Sequence, residues 1–380
     1  MSDLAIVKLK PAKKYLRDYY LIPEKSDAFQ ENDIMMGIKY LRVLADRFRQ
    51  PLVILLGLGS NYGSHTGSSP LSQVAQNYGG FFGIATVIAA GNETGLAHHY
   101  AGRLSADTSY EDVELRVGKK EAERGFILEL WSSATELYTV GFVSPGGERI
   151  NRIPILANNE TRIPFLLENT TVTVNYELIE AGSGSQLVSM RFEKPSAGIW
   201  TIRVYNTQFL TGDYHMWLPV QGFISDETVF LKPDPSNTIT VPGNSRLPIT
   251  VGAYDHRNNS IYIHSSRGYI SRDSVKPDLA APGVDVLGPA NTSVHSGILK
   301  NTQTFTHRTG TSAAAAITAG AVANLLNWGI VMGNYPTMSE ASIKSYLIRG
   351  ASRNPSLSYP NREFGYGTLD LLQTFLKLRE

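Results

Sequence analysis

The apolar positions at the start of the chain predict alternating strands and helices. Residues 4–9 are a short apolar run that predicts a strand. In residues 33–48 apolar side chains recur about every 3.6 residues, which predicts an amphipathic helix with Asn32 as its N-cap. Leu52–Leu56 is wholly apolar, as is typical of a strand covered on both faces of a parallel sheet. This order predicts an α/β fold.

The middle of the chain, from about residue 113 to residue 224, changes to short segments rich in β-branched and aromatic residues. Glycine-rich turns separate these segments, which predicts an antiparallel β-sandwich. The clearest strands are predicted at residues 126–131, 137–142, 171–176 and 187–192. Nearby aromatic residues either fill the sandwich core or form a face that binds a partner, and strand alternation favours the core. These aromatic residues are Trp200, Tyr205, Tyr214 and Trp217.

A long run of small and apolar residues near the C-terminus begins at Ser312 and continues to Gly333. It predicts a buried helix, because Thr318 and Asn324 suit a packed helix better than contact with lipid. Ser312 then lies in the first helical turn, where backbone N–H groups have no partner inside the helix. Two interpretations remain: a structural N-cap, or a nucleophile whose oxyanion those donors would hold.

Composition narrows the class of protein only in part. The 380 residues are enough for more than one domain. With 35 basic and 34 acidic residues, the net charge of +1 gives no support to binding of nucleic acid or of an anionic membrane surface. The absence of cysteine excludes disulfides, a thiolate nucleophile and cysteine-bound metals.

Three short segments carry the candidate chemistry. Residues 84–95 run from an apolar strand into Ala90-Gly91-Asn92, residues 276–284 read Lys-Pro-Asp-Leu-Ala-Ala-Pro-Gly-Val, and residues 310–312 read Gly-Thr-Ser. In this order they resemble the subtilisin-like serine peptidases, or subtilases. The resemblance implies that Ser312 is the nucleophile and that the Asn92 side chain donates a hydrogen bond to the oxyanion.

The resemblance also implies a surface that binds substrate. The segment after Leu52–Leu56 resembles the edge along which subtilases bind the substrate backbone, with glycine in place of the first serine. Residues beside Asn92 and Ser312 are expected to border the same cleft. The residues expected to contact substrate are therefore Gly57, Leu58, Gly59, Ala90, Gly91 and Thr311.

The general base is missing from these motifs. A serine nucleophile requires a base, normally a histidine oriented by a carboxylate. The subtilase Asp-Thr-Gly and Gly-His-Gly-Thr-His motifs do not occur here, and none of the eight histidines lies in such a context. His307, which closely precedes Ser312, is the weaker alternative base. We therefore expect the Asp and His to come from sequence outside this chain, on a companion N-terminal fragment; self-association is the alternative.

The β-sandwich block resembles the jelly-roll insertion of clostridial, Csp-type subtilases. The domains expected are the peptidase, residues 1–112 and 231–380, and the inserted sandwich, residues 113–230. The fold class expected is α/β, with a doubly wound, mostly parallel sheet flanked by helices and an inserted antiparallel sandwich. By resemblance the protein is bacterial, and either secreted or associated with spores. Subtilases often bind calcium, but no Asp-rich run marks a site here.

The function expected is hydrolysis of peptide bonds in a protein or peptide substrate, through an acyl-enzyme on Ser312. Two alternatives stay open. The first is a catalytically inactive subtilase-fold regulator or scaffold. The second is a binding protein that acts through its β-sandwich.

Overall fold

The structure is a computed structural model that describes residues 2–132, 136–156, 160–208, 210–268, 274–290, 294–295, 298–299 and 305–378. The helices are α1 (Lys14–Tyr19), α2 (Glu31–Phe48), α3 (Pro70–Gly79), α4 (Thr311–Leu326), α5 (Glu340–Gly350) and α6 (Leu371–Lys377). A 3-10 turn spans Lys119–Glu123, and a π turn, Asn327–Val331, extends α4.

The strands fall into two groups along the chain. The first ten are β1 (Leu52–Leu56), β2 (Ile84–Ala89), β3 (His99–Arg103), β4 (Tyr110–Val117), β5 (Gly125–Ser132), β6 (Leu137–Val143), β7 (Arg149–Ile150), β8 (Thr161–Phe165), β9 (Thr170–Glu177) and β10 (Leu187–Glu193). The others are β11 (Gly198–Gln208), β12 (Asp213–Trp217), β13 (Val229–Phe230), β14 (Ile249–Asp255), β15 (Ser260–Ile261), β16 (Leu279–Pro282), β17 (Val286–Pro289), β18 (Val294–His295), β19 (Ile298–Leu299) and β20 (Phe305–Arg308).

The first part of the fold is a parallel sheet with helices on both faces. Its strands pair in the order β1-β2-β14-β16, all parallel, and β15 adds a short antiparallel edge to β14. Alternate residues of β2 point to opposite faces. Ala85 and Val87 pack with α4 and α5, whereas Ile84 and Ile88 pack with α2 and α3. This is the doubly wound α/β arrangement predicted from the sequence.

The prediction of a strand at residues 4–9 is wrong. Val7 packs near Gly37 of α2 and Ile6 lies in solvent, and the segment pairs with no strand in the described part of the chain. An apolar run becomes a strand only where a neighbour satisfies its backbone groups, and β1 instead ends the sheet on this side. The N-cap of α2 is Gln30 rather than Asn32, whose side-chain oxygen accepts a hydrogen bond from the Gln30 amide.

The inserted block is a sandwich of two antiparallel sheets. One pairs in the order β3-β12-β5-β10-β9-β8 and the other in the order β13-β4-β11-β6-β7. Trp200 and Tyr214 are fully buried between them, as alternation predicted. Trp217 is also buried, but on the opposite face of its strand, where its ring stacks on His65. Tyr205 is partly exposed beneath the guanidinium of Arg152. Two of the four aromatic residues singled out in the sequence therefore build the sandwich core.

Helix α4 together with the π turn, Thr311–Val331, is long and apolar enough to cross a membrane by length and composition. In the structure it packs against the parallel sheet instead. Ala314, Ala315 and Val322 are completely buried there, in one cluster with residues of β2, β14 and β16. The small residues at its start let the helix approach the sheet closely, which fixes the position of its N-terminus.

Candidate active site

Ser312 is the second residue of α4 and is exposed at the helix N-terminus. Gly310 precedes the helix with φ 136°, a conformation that side chains rarely allow. The N–H of Ser312 has no hydrogen-bond acceptor among the described residues, as is usual in a first helical turn. An exposed hydroxyl group and a free backbone donor therefore occupy the same residue.

The Asn92 side chain is held against this helix terminus. Its Oδ1 accepts hydrogen bonds from the Thr311 N–H at 3.0 Å and from the Thr311 hydroxyl at 3.3 Å. The same hydroxyl accepts the Gly91 N–H at 3.1 Å. Because both partners of Oδ1 are donors, the amide orientation is fixed and Nδ2 is left as a donor beside Gly310. Asn92 can thus supply the second hydrogen bond to an oxyanion formed at Ser312.

The third sequence motif supports the same helix terminus. Gly283 follows β16, and its carbonyl accepts the N–H of Gly310 at 2.7 Å. A Cβ at Gly283 would lie 2.6 Å from Cβ of Ala253 and 3.0 Å from the Gly310 carbonyl oxygen. Glycine is therefore required there by close packing rather than by chemistry. The Ala-Ala-Pro-Gly motif positions the nucleophile without touching it.

Residues 57–59 form an open backbone edge beside Ser312. The Ser312 hydroxyl donates to the Gly57 carbonyl at 2.9 Å. Among the described residues, Leu58 and Gly59 make no backbone hydrogen bond, whereas Ser60 pairs with Val241. Free N–H and C=O groups in an extended segment are suited to pairing with another extended chain.

On the other wall of the cleft, the backbone N–H and C=O groups of Ala90 and Gly91 are all hydrogen-bonded within the chain. Ala90 donates to Val251 and accepts from Thr240, while Gly91 donates to Thr311 and accepts from Ser266. Ala90 and Thr311 are also completely buried. Of the residues expected to contact substrate, these two therefore lie beneath the site and orient Asn92, whereas residues 57–59 are accessible.

Comparison with known proteins agrees with this geometry. The sequence profile of the subtilase family (peptidase S8) matches residues 226–367. The serine protease AprX of Bacillus subtilis (strain 168) is 32% identical over 129 residues, which are 31% of this chain and only 28% of AprX. This chain is 30% identical in sequence to the Clostridium perfringens CspB protease, whose structure superposes on it with a TM-score of 0.82. The match covers 93% of this chain and 72% of the CspB chain. The chain belongs to the subtilase family.

A subtilase requires a histidine beside its serine, and no described histidine side chain hydrogen-bonds to Ser312. His307 lies on β20, exposed, and its Nδ1 pairs with Asp285 at 3.0 Å. His98 is buried against Glu93 at 2.8 Å, and His264 bonds to the backbone of Thr94. The side chain of His295 lies outside the described residues. In the described part of this subtilase, the Ser312 hydroxyl donates its hydrogen bond to a backbone carbonyl and not to a base.

Two residues from other segments shape the subtilase cleft. Thr240 lies between the two walls: a Cβ at Gly59 would be 2.7 Å from its Cβ, and one at Gly91 would be 2.7 Å from its Cγ2. The Ser266 hydroxyl accepts the N–H of Glu93 at 3.1 Å and so holds the loop after Asn92. Ser266 belongs to a Ser-Ser-x-Gly turn that resembles the one in subtilases, whereas no motif in the sequence marks Thr240.

The calcium expected by resemblance has no evident ligands here. Among the described residues, no three His, Asp or Glu side chains come close enough to hold a metal ion. Hard cations such as Ca²⁺ require six to eight oxygen ligands, roughly speaking, with carboxylates among them.

Proposed function

We propose that Ser312 is the nucleophile of a subtilisin-like serine endopeptidase that cleaves peptide bonds through an acyl-enzyme. The observation that supports this most directly is that three groups lie together: the exposed hydroxyl of Ser312, the free N–H of Ser312 and the side-chain amide of Asn92, which is held in one orientation. Ser312 is not the helix N-cap, because Gly310 occupies that position and the Ser312 hydroxyl donates to Gly57 instead of accepting a backbone N–H of its own helix. An oxyanion site needs two donors aimed at one point, and Asn92 and the helix terminus supply them.

The reaction follows from these groups. Ser312 Oγ attacks the carbonyl carbon of the substrate while a base removes its proton, and the carbonyl oxygen becomes an oxyanion. The Ser312 N–H and Asn92 Nδ2 stabilise that charge. Collapse of the intermediate breaks the C–N bond, the protonated base gives its proton to the leaving amine, and water then hydrolyses the ester.

Substrate would bind as an added strand. The backbone of residues 57–59 is open, exposed and directly adjacent to Ser312 through the Gly57 carbonyl. An extended peptide that pairs with these groups would bring its scissile carbonyl to the hydroxyl. Main-chain pairing of this kind provides affinity without fixing the side chains of the substrate.

We propose that the base and its orienting carboxylate are supplied by polypeptide outside this sequence. In the described structure the Ser312 hydroxyl donates to a carbonyl, which cannot take up the proton at neutral pH. Strand β1 also has an open edge. Because Leu52 donates to Gly83, which directly precedes β2, the backbone groups of Val53 and Leu55 point the other way, where no described strand pairs. A companion strand on this edge would satisfy them.

Turnover measurements test this proposal. The purified chain should cleave a denatured, fluorescently labelled protein no faster than a Ser312→Ala variant does, because it lacks the base. Ser356→Ala, which removes an exposed serine far along the sequence, is the matched control. Rapid cleavage that is lost in both Ser312→Ala and His307→Gln would contradict the proposal of an external base and make His307 the base.

A further inference from the structure

A cavity of about 390 Å³ lies between the peptidase part and the sandwich. Its walls come from residues 64–66 after β1, from β5 and β12 of the sandwich, and from residues 237–239 before β14. Ser312 and Asn92 do not line it. Its size falls in the range of sites that hold a ligand the size of a side chain or larger.

Aromatic rings form the flat part of its lining. The His65 ring stacks on Trp217 with centroids 3.8 Å apart and planes 6° from parallel, and Trp131 lines the cavity as well. His65 belongs to the peptidase part, whereas both tryptophans belong to the sandwich. The cavity therefore exists only because the two parts meet. Flat aromatic walls suit a planar group and its methylene stem.

A chain of histidines gives the cavity a hydrogen-bond acceptor. His99 Nδ1 lies 3.1 Å from the carbonyl of Asp234, so that nitrogen carries the proton. Burial lowers the pKa of His99 to about 3, so the ring is neutral and its Nε2 accepts. His215 Nδ1, 3.0 Å away, must then donate to it. Burial lowers the pKa of His215 too, which leaves its Nε2 with a lone pair and no partner among the described residues.

The other polar groups of the lining are acceptors or hydroxyls. Asn237 Oδ1 is buried and has no hydrogen-bond partner in the described structure. Asp213 contributes a carboxylate, which Arg103 contacts at 3.4 Å from outside the lining, with both side chains more than half exposed. Six serine and threonine residues complete the wall. A buried acceptor without a donor is costly, so the cavity favours a ligand that brings donors.

Asp213 is the one charged side chain among the described residues that line the cavity, and it is acidic. In the described part of the chain, no lysine or arginine lines it. Glu129 lies behind Trp131 and accepts its indole N–H at 2.9 Å, and Glu180 bonds to Ser183 of the lining. Burial raises the pKa of Glu129 to about 7, and a cation bound nearby would favour the ionised form of this carboxyl group. Acceptors and carboxylates in a confined space attract a cation.

We propose that this cavity binds the guanidinium group of an arginine side chain in a polypeptide. A guanidinium offers five donors and a flat face, which match the acceptors and the aromatic walls. The chain runs directly from residues 57–59 to residues 64–66 of the wall, a span of at most roughly 17 Å. A peptide on the open edge would thus place an arginine a few residues from the cleaved bond; this assignment to substrate rests on the proposed function.

Binding of small probes to the whole chain tests the cavity directly. N-acetyl-arginine amide should bind. N-acetyl-citrulline amide, which has the same shape without the charge, should bind at least about tenfold more weakly. The indole N–H resonances of Trp131 and Trp217 should shift. Those of Trp200, in the sandwich core, and Trp328, packed on Phe375, should not. Methyl glucoside serves as a neutral, donor-rich probe and should leave all four unchanged.

Variants assign the charge that matters. Asp213→Asn should weaken the arginine probe about tenfold, whereas Arg103→Gln, which frees Asp213 from its partner, should tighten it. Asp112→Asn is the matched control, because Asp112 forms an equivalent pair with Arg203 on the same sandwich, outside the lining.

Three results would overturn the proposal: no binding of the arginine probe at about 10 mM, equal binding of citrulline or glucoside, or an affinity unaffected by both Asp213→Asn and Arg103→Gln. None of these results bears on Ser312, whose role is measured by acylation. Failure of the cavity proposal and failure of the proposed peptidase are therefore separate observations.

Discussion

Thr311→Val tests whether the threonine beside the nucleophile holds the oxyanion site together. Valine has nearly the same shape, so the substitution removes the hydroxyl and little else. That hydroxyl accepts the Gly91 N–H at 3.1 Å and donates to Asn92 Oδ1 at 3.3 Å. The Gly91 donor would lose its partner next to a completely buried side chain, at a cost of about 1–3 kcal/mol. Asn92 would keep one of its two donors, the Thr311 N–H.

Thr318→Val is the matched control on the same helix. Thr318 is equally buried, but its hydroxyl donates only to the Ala314 carbonyl, one helical turn earlier, at 3.0 Å. That carbonyl is already paired within the helix, so losing the hydroxyl should change the stability by less than about 0.5 kcal/mol. Thr311→Ser retains both hydrogen bonds and should restore most of what Thr311→Val loses.

Native-state hydrogen exchange of α4, followed by mass spectrometry, measures the difference segment by segment. A loss of about 1–3 kcal/mol corresponds to exchange that is faster by roughly 5- to 150-fold for Thr311→Val. Thr318→Val should stay close to the wild-type rate. Equal acceleration in the two valine variants, or no acceleration in Thr311→Val, would refute the argument that this hydroxyl secures the site.

Further predictions follow from single contacts. Gly59→Ala should lower the stability by about 1–3 kcal/mol, because its methyl group would overlap a neighbouring threonine, whereas Gly57→Ala meets only ordinary contacts at 3.4 Å; urea titration compares them. Burial lowers the pKa of His65 to about 4. Between about pH 6.5 and pH 4 the unfolded chain therefore binds a proton at this histidine and the folded chain does not, so the folded chain loses stability as the pH falls through this range. His65→Phe should remove about 1–2 kcal/mol of that loss at about pH 5, and the exposed His256→Phe should not, as melting curves at two pH values would show. In an assembled, active enzyme, Asn92→Ala should reduce kcat about 10²–10³-fold with KM nearly unchanged, the range known for this donor in subtilisin itself; a loss below about threefold would contradict its role.

The elements with strong periodic patterns were predictable from the sequence. The helix predicted at residues 33–48 is Glu31–Phe48, the apolar run Leu52–Leu56 is β1, and the predicted sandwich strands agree with β5, β6, β9 and β10 to within a residue at each end. These patterns are local, and each reports which face of its own segment is buried. Ser312 in the first turn of a buried helix followed from the same reasoning.

What the sequence left undetermined depends on contacts between distant segments. Residues 4–9 are an apolar run that predicts a strand, but no strand among the described residues pairs with them. Thr240 enters the cleft from a segment that no motif marks. The stack of His65 on Trp217 joins residues far apart in the chain and exists only because the sandwich packs on the peptidase part. Local patterns contain no information on such pairs.

The central claim is that Ser312 is a competent nucleophile that lacks only its base. Imidazole in solution can act as a base for a serine that no histidine reaches. The chain should be treated with a fluorophosphonate, with and without imidazole, and the adduct located by mass spectrometry of its peptides. We expect phosphonylation of Ser312 that depends on imidazole and is absent from Ser312→Ala. Modification spread over exposed serines such as Ser356, or none at Ser312 at any imidazole concentration, would contradict it.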